Sequence, residues 1–489
     1  MHLSNLVTRA GATSSTVFSR QMMPTASLSV NLSQTYQTID GFGFSEAFQR
    51  AYNIYNLAEP KRSQLIDLFF NVTTGAGFSI VRNGIGSSPN STSDWMNTHL
   101  PTSPGSPASS NASYVWDGKD SGQLWVSQQA VKYGVKTFYG NAWSAPGFMK
   151  TNGRDSGGGS LCGVPNTTCS TGDWRQAYAD YLVKYIEFYQ QSGVDVTHVG
   201  FLNEPDYLAS YASMLSTGSQ SADFIKILHS TLQNSPFAGK VQIACCDATG
   251  WSAQRAMTTA LVDAGVEDLL GVITSHPYTS PINSTQPTAL KVWQTETSDL
   301  VGKWSTAWYT SPGDTPGDGY TWAINIHTAL TTGNVSAYLW WVGTQDEKTN
   351  GNNNEKLVLV DSSKGEYFVS KRFWAFAQYS RTVRPGAVRV GVVADGDEEL
   401  LKTTGFVNVD GSVVVNVINT GVEDVGLSVA VLQKDLKVLV APGGLEAWVT
   451  DDGNDMSALE GLNVQADGTV GGVSVPARGM VSFVIRLHS

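Results

Sequence analysis

Through the middle of the chain, short apolar runs alternate with longer stretches whose apolar side chains recur at helical spacing. Residues 173–193 place tyrosine, leucine and phenylalanine on one side of a predicted helix, with Asp173 able to cap its start and Gly193 its end. The next run, VTHVGFLN at 196–203, is typical of a buried parallel strand, and residues 221–233 are helical again. This succession indicates βαβ units.

Eight apolar runs predict the strands of a parallel sheet. They cover residues 37–45, 78–86, 135–143, 196–203, 241–247, 271–278, 292–296 and 337–343. Eight parallel strands with intervening helices make an α/β fold, the (β/α)₈ TIM barrel, which we predict for residues 37–383. Residues 276–291 are broken by prolines and too short for a full helix, so the sixth helix should be reduced. The last barrel helix is predicted at residues 364–383.

A change of period marks the end of the barrel. After a Pro-Gly break the apolar residues alternate with period two, and residues 406–417 are typical of a hairpin. The hairpin centres on Asp410-Gly411, a dipeptide that prefers a type I′ turn. We therefore predict a side domain over residues 384–489, an antiparallel β-sandwich.

The N-terminal part of the chain divides in two. Residues 27–36 alternate like the C-terminal strands and are predicted to join their sheet. Residues 1–26 lack the roughly 7–15-residue apolar core of a signal peptide. We expect this first segment to be disordered or removed by processing.

Charge and composition exclude several classes of protein. The 489 residues carry a net charge of −11 with a pI of about 5.1, so nothing favours nucleic acid or anionic lipid as a partner. No apolar run approaches about 18 residues, so no membrane span is predicted. We expect a secreted, monomeric glycoprotein. Its seven Asn-x-Ser/Thr sequons begin at Asn31, Asn71, Asn90, Asn111, Asn166, Asn283 and Asn334.

The four cysteines fall into two pairs. Cys162 and Cys169 flank a polar loop in a Gly-rich region and are predicted to form a disulfide bond. Cys245 and Cys246 end an apolar strand and are interpreted as buried free thiols. The seven histidines are scattered and no HExxH or CxxC motif occurs, so we predict no metal and no cofactor.

Two carboxylates stand at strand ends of the predicted barrel. Glu204 follows strand four and Glu296 ends strand seven. Both strands open onto one mouth, so both side chains can face one cleft. Two acids across a cleft suit cleavage of a glycosidic bond: one protonates the leaving oxygen, and the other attacks the sugar carbon or activates water. Asn203, beside Glu204, can hydrogen-bond a substrate hydroxyl.

Each acid also has a structural interpretation. The sequence Asn203-Glu204-Pro205 is compatible with a helix start, with a polar cap and a proline at the first helical position. Glu296 is compatible with a buried acid paired with Arg82 at the end of strand two. Because both acids fall at matching strand ends, the catalytic interpretation is favoured over coincidence.

Seven segments resemble fungal members of glycoside hydrolase family 30, and more narrowly its xylanase subfamily seven. They are GFGFSEAFQRA (41–51), RNGIGSS (82–88), AWSAPGFMKTNG (142–153), GFLNEPD (200–206), SHPYTSP (275–281), VWQTETSD (292–299) and SKRFWAFAQYSR (370–381). The resemblance runs from about residue 27 to the C-terminus. It implies a (β/α)₈ barrel with a side β-sandwich built from both chain ends, and a retaining mechanism.

Position by position, the resemblance implies roles for the residues of these motifs. Glu204 resembles the acid/base and Glu296 the nucleophile. Asn203 matches the asparagine that precedes the acid, while Arg82 and Tyr278 match groups that bond and orient the nucleophile. For Tyr278, a hydrogen-bonded rim tyrosine without a site role is the alternative.

Trp143 and Trp341 match aromatic walls around the sugar at the cleavage point. A pyranose presents C–H groups on its face, so flat aromatic rings pack well against it. Packing in the barrel core is the alternative for both, and for the neighbouring Trp340 we prefer that alternative.

Arg50 is a candidate for recognising a substrate branch. An arginine in the SEAFQRA motif is associated with branch recognition in the subfamily it resembles, and a guanidinium can bind a carboxylate in bidentate fashion. We predict that Arg50 binds the (methyl)glucuronic acid branches of glucuronoxylan. The alternative is a surface arginine paired with Glu46 or another acid.

The favoured function is a retaining hydrolase of β-1,4-xylosidic bonds in (glucurono)xylan, a plant cell-wall polysaccharide, acting by double displacement without a cofactor. The connection from Ser87 to about Tyr114 could cover one end of the cleft, as in relatives that release xylobiose. Other members of the family cleave β-1,6-glucan, β-1,6-galactan or glucosylceramide, and these stay open as substrates. A non-catalytic carbohydrate-binding protein on the same scaffold is the alternative of another class.

Overall fold

The computed structural model describes residues 25–89, 96–107, 112–311, 317–396 and 398–488. The expectation for residues 1–26 therefore lies outside the described residues, apart from the last two. The connection from Ser87 to Tyr114 is described only in part, because residues 90–95 and 108–111 are outside these ranges.

The chain enters the described region in a long strand, β1 (Thr25–Thr38), and then builds a ring of eight parallel strands. The ring comprises β2 (Gly41–Ser45), β3 (Ile80–Ile85), β4 (Thr137–Ala142), β5 (His198–Gly200), β6 (Gln242–Ala248), β7 (Val272–Ser275), β8 (Lys291–Gln294) and β9 (Ala337–Asp346). Each strand pairs with the next along the chain, and β9 pairs with both β8 and β2. The predicted (β/α)₈ barrel is confirmed.

Side chains fill the barrel interior, as they do in other barrels of eight strands. The buried cluster inside the ring comprises Ile80, Tyr139, Ala244, Val272, Trp293, Ala337 and Leu339. The interior is thus a packed core.

Helices surround the ring. They are α1 (Ala51–Tyr55), α2 (Lys61–Phe70), α3 (Gln123–Lys132), α4 (Arg175–Gln191), α5 (Gly218–Gln233), α6 (Trp251–Asp263), α7 (Gly319–Thr331) and α8 (Lys371–Ser380). No helix forms between β7 and β8, where every residue is described, as the prolines there predicted. In the described residues, no helix combines the length and apolar character that crossing a membrane requires.

The predicted end of α4 is confirmed, but the predicted cap at its start is wrong. Gly193 has φ +84° just beyond the helix, the conformation in which glycine ends helices. Asp173 does not cap the start, because Trp174 occupies the cap position. The Asp173 carboxylate is instead bound by the Arg175 guanidinium and backbone N–H.

The predicted helix over residues 364–383 is wrong in its first half. Two strands, β10 (Lys356–Asp361) and β11 (Glu366–Val369), form an antiparallel hairpin there. The helix α8 starts only after Ser370, whose side chain accepts a hydrogen bond from the Phe373 backbone N–H. This side-chain cap fixes the helix start and leaves the preceding residues to the hairpin.

A second, eleven-stranded sheet lies beside the barrel. It contains β1 together with β12 (Val388–Gly396), β13 (Leu401–Val407), β14 (Val413–Asn419), β15 (Val425–Gln433), β16 (Leu436–Lys437), β17 (Val440–Thr450), β18 (Ser457–Ala458), β19 (Asn463–Val464), β20 (Val470–Val475) and β21 (Met480–Leu487). Its pairings are antiparallel except for β1 with β15. Both ends of the chain therefore contribute to one side domain, as predicted.

The hairpin of β13 and β14 forms where the period indicated it. Its turn is longer than the predicted two-residue type I′ turn, since the Asn408 backbone N–H donates to the Ser412 carbonyl across five residues. Gly411 has φ +82°, whereas a type I′ turn needs positive φ at both central residues.

All four cysteines are paired. Cys162 and Cys169 form the predicted disulfide, with Cα atoms 5.7 Å apart. The interpretation of Cys245 and Cys246 as free thiols is wrong, because the two are disulfide-bonded to each other, although both are buried. Successive side chains of a regular strand point to opposite faces, so the strand pattern gave no sign of this pairing.

Candidate active site

A cleft of about 840 Å³ opens at the C-terminal ends of the barrel strands. Glu204 follows β5 and Glu296 follows β8, and both side chains line this cleft. An oxygen of Glu204, an oxygen of Glu296 and a ring nitrogen of His276 all lie within 4.8 Å of one another. The two acids predicted from strand ends thus face each other across a short gap.

Glu204 stands in a turn and does not precede a helix. Its backbone has φ +50°, an uncommon conformation for a residue with a side chain, and its N–H donates to the Asp247 carbonyl at 2.8 Å. Pro205 continues the turn, so the helix-start interpretation of this motif is wrong. The Tyr211 hydroxyl donates to Glu204 Oε2 at 3.0 Å and so orients the carboxyl group.

Glu296 is held on both of its oxygens. Arg82 Nη1 donates to Oε2 at 2.5 Å, and the Tyr278 hydroxyl donates to Oε1 at 3.2 Å. Burial raises the pKa of Glu296, Glu204 adds to this, and the positive charges of His276 and Arg82 offset it only in part. Glu296 is therefore both paired with Arg82 and placed in the cleft, although the sequence offered these as alternative interpretations.

Arg82 connects Glu296 to the barrel interior. Its Nη2 donates to Asn203 Oδ1 at 2.5 Å and to Asp247 Oδ2 at 2.9 Å. Its guanidinium carbon lies 4.4 Å from the centre of the Trp143 ring. Burial opposes the charge, but Asp247 and Glu296 outweigh it and raise the pKa of Arg82, which therefore stays cationic.

Asp247 was not predicted as a site residue. Its carboxylate is fully buried and accepts hydrogen bonds from Arg82, Tyr139, Asn141 and Thr295. Burial would raise its pKa, yet the charges of Arg82 and His276 and these hydrogen bonds lower it. Asp247 is therefore the permanent counterion that keeps Arg82 in place.

His276 was also missed. Its Nδ1 lies 3.3 Å from Glu204 Oε1, and its Nε2 lies 3.9 Å from Glu296 Oε2. Burial disfavours its charge, but the surrounding carboxylates prevail and raise the pKa of His276 to about 10. An imidazolium has no lone pair for a metal, so this cluster of potential ligands is suited to proton chemistry.

The missed residues differ in how far the sequence signals them. Asp247 ends an apolar strand just as Glu204 does, so the same rule applied to VQIACCD would have found it. His276 stands in the SHPYTSP motif, two residues before the predicted Tyr278. Tyr211 lies in an irregular loop and carries no periodic signal.

Three aromatic rings form one wall of the cleft. Phe48 packs edge-on against Trp143, with ring centres 5.5 Å apart, and lies 6.0 Å from Trp341. All three side chains line the cleft, which places the two predicted tryptophans at its wall. Trp340 points the other way and packs against Trp322 at 4.6 Å, as its core interpretation requires.

Arg50 lies in the same cleft but is not a surface residue. It is 5% exposed, its Nη1 donates to the Phe48 carbonyl at 2.8 Å, and its Nη2 lies 3.9 Å from Glu355 Oε1. The alternative was a surface arginine paired with Glu46 or another acid. Its surface position is wrong because Arg50 is buried, but Arg50 does lie beside another acid, Glu355. A carboxylate ligand would share the guanidinium with that acid.

A closed barrel with two acids at the ends of its fourth and seventh strands defines a glycoside hydrolase scaffold. Family models extend this to the sequence: O-glycosyl hydrolase family 30 matches residues 25–269, half of the chain, and the family 30 β-sandwich domain matches residues 386–483. The chain belongs to glycoside hydrolase family 30.

Similar proteins differ in the substrates that their names give. The catalytic domain of GH30 xylanase C from Talaromyces cellulolyticus is 41% identical, with a TM-score of 0.84 over 94% of this chain and 99% of that chain. Lysosomal acid glucosylceramidase of Mus musculus is 25% identical over 85% of this chain and 81% of that protein. Endo-1,6-beta-D-glucanase of Neurospora crassa is 24% identical over 78% of this chain and 79% of that protein.

Proposed function

We propose that the protein is a retaining hydrolase of β-1,4-xylosidic bonds in xylan and glucuronoxylan. The observation that carries the mechanism is the approach of Glu204 and Glu296 oxygens to within 4.8 Å. Retaining glycosidases hold their two carboxyl groups about 5–5.5 Å apart, whereas inverting enzymes leave about 6.5–9.5 Å for a water molecule. The gap in this cleft suits direct attack on the sugar.

In the first step, Glu296 attacks the anomeric carbon while Glu204 donates its proton to the leaving oxygen. The glycosidic C–O bond breaks and an ester bond to Glu296 forms. In the second step, Glu204 accepts a proton from water, the water oxygen bonds to the anomeric carbon, and Glu296 leaves. Arg82 and Tyr278 hold the attacking carboxylate in position through its two oxygens.

Two observations support xylan as the substrate. The relative with 41% identity along nearly its whole length is a xylanase, whereas the glucanase and glucosylceramidase relatives are about 25% identical. The cleft also holds Arg50, on the loop after the first barrel strand, where a charged branch could bind.

The roles of the two acids are tested by azide rescue on an activated xylobioside whose leaving group needs no protonation. In Glu204→Ala, azide should restore turnover and give a β-xylobiosyl azide, because azide attacks the Glu296 ester without a base. In Glu296→Gly, azide should replace the nucleophile directly and give the α-azide. Mass spectrometry and the anomeric proton coupling identify each product.

Glu366→Ala is the matched control, since this surface acid pairs with Lys61 and is not among the described residues that line the cleft, so the rate should stay unchanged. The opposite anomers in the two variants would contradict the assigned roles. Full activity in both variants would rule out catalysis by these carboxyl groups. A wild type that binds xylan without cleaving any of these substrates would favour the carbohydrate-binding alternative.

We further propose that Arg50 recognises the glucuronic acid branch. Arg50→Ala should lower the ratio of kcat/KM on glucuronoxylan to that on unbranched arabinoxylan by about tenfold or more, since a charged hydrogen-bonded pair is lost. Arg154→Ala, at an exposed arginine after the third barrel strand, is the control. An unchanged ratio in Arg50→Ala would refute branch recognition by this residue.

A more specific proposal is that the enzyme releases xylobiose because the connection from Ser87 to Tyr114 blocks one end of the cleft. Ser88 and Met96, on the described parts of this connection, line the cleft. Linear xylo-oligosaccharides should then yield mainly xylobiose, and products of mixed length would contradict a blocked end.

A second candidate is hydrolysis of β-1,6-glucan, favoured by the coverage of almost four fifths of this chain by the Neurospora enzyme. The substrate panel for wild type therefore includes β-1,6-glucan and β-1,6-galactan beside the two xylans. Faster release of sugar from β-1,6-glucan than from either xylan would replace the first proposal by the second.

A further inference from the structure

A second cavity, of about 350 Å³, lies where the barrel meets the side sheet. This volume falls in the range of small-molecule sites, roughly 300–1,000 Å³. Because α7 leads from β8 back to the start of β9, its end lies toward the barrel face opposite the cleft. We call the cavity the seam pocket, and the residues that line it are Tyr36, His327, Thr331, 389–392 and 401–404.

The seam pocket is built where two strands of the side sheet part. Strands β12 and β13 pair only near one end, with Val390 opposite Gly405 as the last pair. Beyond it β12 continues alongside β1, whereas β13 stays with β14. Helix α7 closes the gap from the barrel side, where Gln37 on β1 donates to two carbonyls at the end of the helix at 2.8 and 3.1 Å.

Arg389 is held so that its outer nitrogens are available. Its guanidinium carbon lies 3.8 Å from the centre of the Tyr36 ring, and its Nε donates to Gln37 Oε1 at 2.7 Å. Nη1 and Nη2 have no hydrogen-bond partner among the described residues. The planar guanidinium thus has a fixed orientation and keeps the pair of donors that binds a carboxylate in bidentate fashion.

The positive charges at the seam pocket have no counterion. The Lys402 ammonium has neither an ion pair nor a hydrogen bond within the part of the chain that the structure describes. Burial and then the positive charges of Lys402 and Arg389 lower the pKa of His327 to about 4, so both cations lie near this ring. No carboxylate is among the described residues that line the pocket. Two neighbouring cations repel each other, and an anion between them relieves that repulsion.

The remaining lining groups fit a ligand that carries hydroxyls as well as a charge. His327 Nδ1 is buried and has no partner among the described residues. The hydroxyls of Thr331 and Thr403 lie on the same pocket, and the Tyr36 ring is 43% exposed beside it. An inorganic anion would use only the two cations, whereas a sugar acid offers a carboxylate to them and hydroxyls to the other groups.

We propose that the seam pocket is a second, non-catalytic carbohydrate site that binds the carboxylate of a uronic acid on a polysaccharide, through Arg389 and Lys402. The choice of polymer, glucuronoxylan, rests on the proposed function. No lining residue is shared with the cleft among the described residues, so this site holds the polymer without taking part in its cleavage. Two sites on one long chain raise the affinity for the polymer but leave short substrates unaffected.

The direct test follows the His327 ring signal by NMR in the full chain, with His327→Gln to identify that signal. Methyl β-glucuronide should shift the signal in the wild type, and neutral methyl β-xyloside should not. Lys402→Glu should need at least about tenfold more glucuronide for half-saturation, since a charged contact is lost. Lys402→Ala should weaken binding in the same direction by a smaller factor.

Lys434→Glu is the matched control, because it makes the same change of net charge at an exposed lysine of the side domain that is not among the described pocket residues. It should leave the glucuronide titration as in the wild type. On the polymer at low salt, KM for glucuronoxylan should rise about threefold or more in Lys402→Glu and stay constant in Lys434→Glu. Both variants should keep kcat/KM for xylotetraose.

The absence of a glucuronide shift in the wild type would overturn the site, as would an equal shift with the neutral xyloside. Half-saturation by inorganic phosphate at a lower concentration than by glucuronide would show a site for a free anion and overturn the uronate assignment. An unchanged KM for glucuronoxylan in Lys402→Glu would refute anchoring of the polymer. Failure of the proposed function looks different, because the wild type would then cleave no xylan while the glucuronide titration would still report on the seam pocket.

Discussion

At the scale of single residues, the site is a balance of buried charges. Arg82 and His276 are cationic, and Asp247 and Glu296 supply two negative charges within hydrogen-bonding or near-contact distance. The two positive and two negative charges of these residues cancel. This balance limits the cost of burying them, because an unbalanced charge is costly in a buried site.

His276→Gln tests this balance through the pH dependence of activity. The imidazolium lowers the pKa of Glu296, so its removal should raise that pKa further. In the proposed mechanism Glu296 must be ionised to attack, so activity should be lost as the pH falls through its pKa. The acidic limb of the kcat/KM profile should therefore move to higher pH by about one unit.

His229→Gln is the control, because this histidine lies on α5 away from the cleft. An acidic limb that stays in place in His276→Gln would show that the imidazolium does not act on the nucleophile.

At the scale of elements, the segment from Glu204 to α5 connects a candidate catalytic residue to a helix of the barrel. The helix starts with a capping box: Thr217 accepts from the Gln220 N–H, and the Gln220 side chain accepts from the Thr217 N–H at 3.0 Å. Just before the box, the Ser216 N–H donates to the Pro205 carbonyl at 3.1 Å. A firm helix start thus fixes the far end of the loop that carries Glu204.

Thr217→Ala should lower the free energy of unfolding by about 1 kcal/mol, the usual value of a side-chain cap. Chemical denaturation measures the change, and Ser230→Ala near the end of the same helix is the control because it removes a hydroxyl without removing a cap. Equal stability of Thr217→Ala and wild type would mean that the capping box does not contribute.

At the scale of the whole molecule, the side sheet joins the two ends of the chain. Strand β1 pairs with β12 on one side and with β15 on the other, so residues 25–31 occupy a central position in the sheet. Leu28 is 1% exposed there, in a core made largely of valines. The start of the described chain is therefore part of the folded domain.

Leu28→Ala should lower the free energy of unfolding by about 2–5 kcal/mol, since it leaves a cavity in a packed core. Thermal unfolding measures this, with the exposed Ser27→Ala as the neighbouring control. A loss as small as that in Ser27→Ala would contradict a central role for β1. Activity below the unfolding temperature should stay close to wild type, because Leu28 is remote from the cleft.

Regular periodicity explains which parts of the fold were predictable. The eight barrel strands are short apolar runs because both of their faces are buried. This pattern can be recognised in each segment of the sequence without knowing which strands it pairs with. The helix predicted over residues 364–370 was wrong because their apolar spacing continued that of α8. In the structure, residues 366–369 pair with β10 and form a strand. The disulfide of Cys245 and Cys246 was missed because it breaks the alternation of strand side chains.

The pattern of residues along the chain was enough to predict the barrel, the side sheet and the two facing acids, because strand order in a closed ring converts chain position into spatial position. Packing of the elements was needed to show that Asp247 and His276 complete the charge balance and that Arg50 is buried beside Glu355. These properties depend on distances between side chains from different elements. No period along the chain encodes such distances, since they are set only when the elements pack.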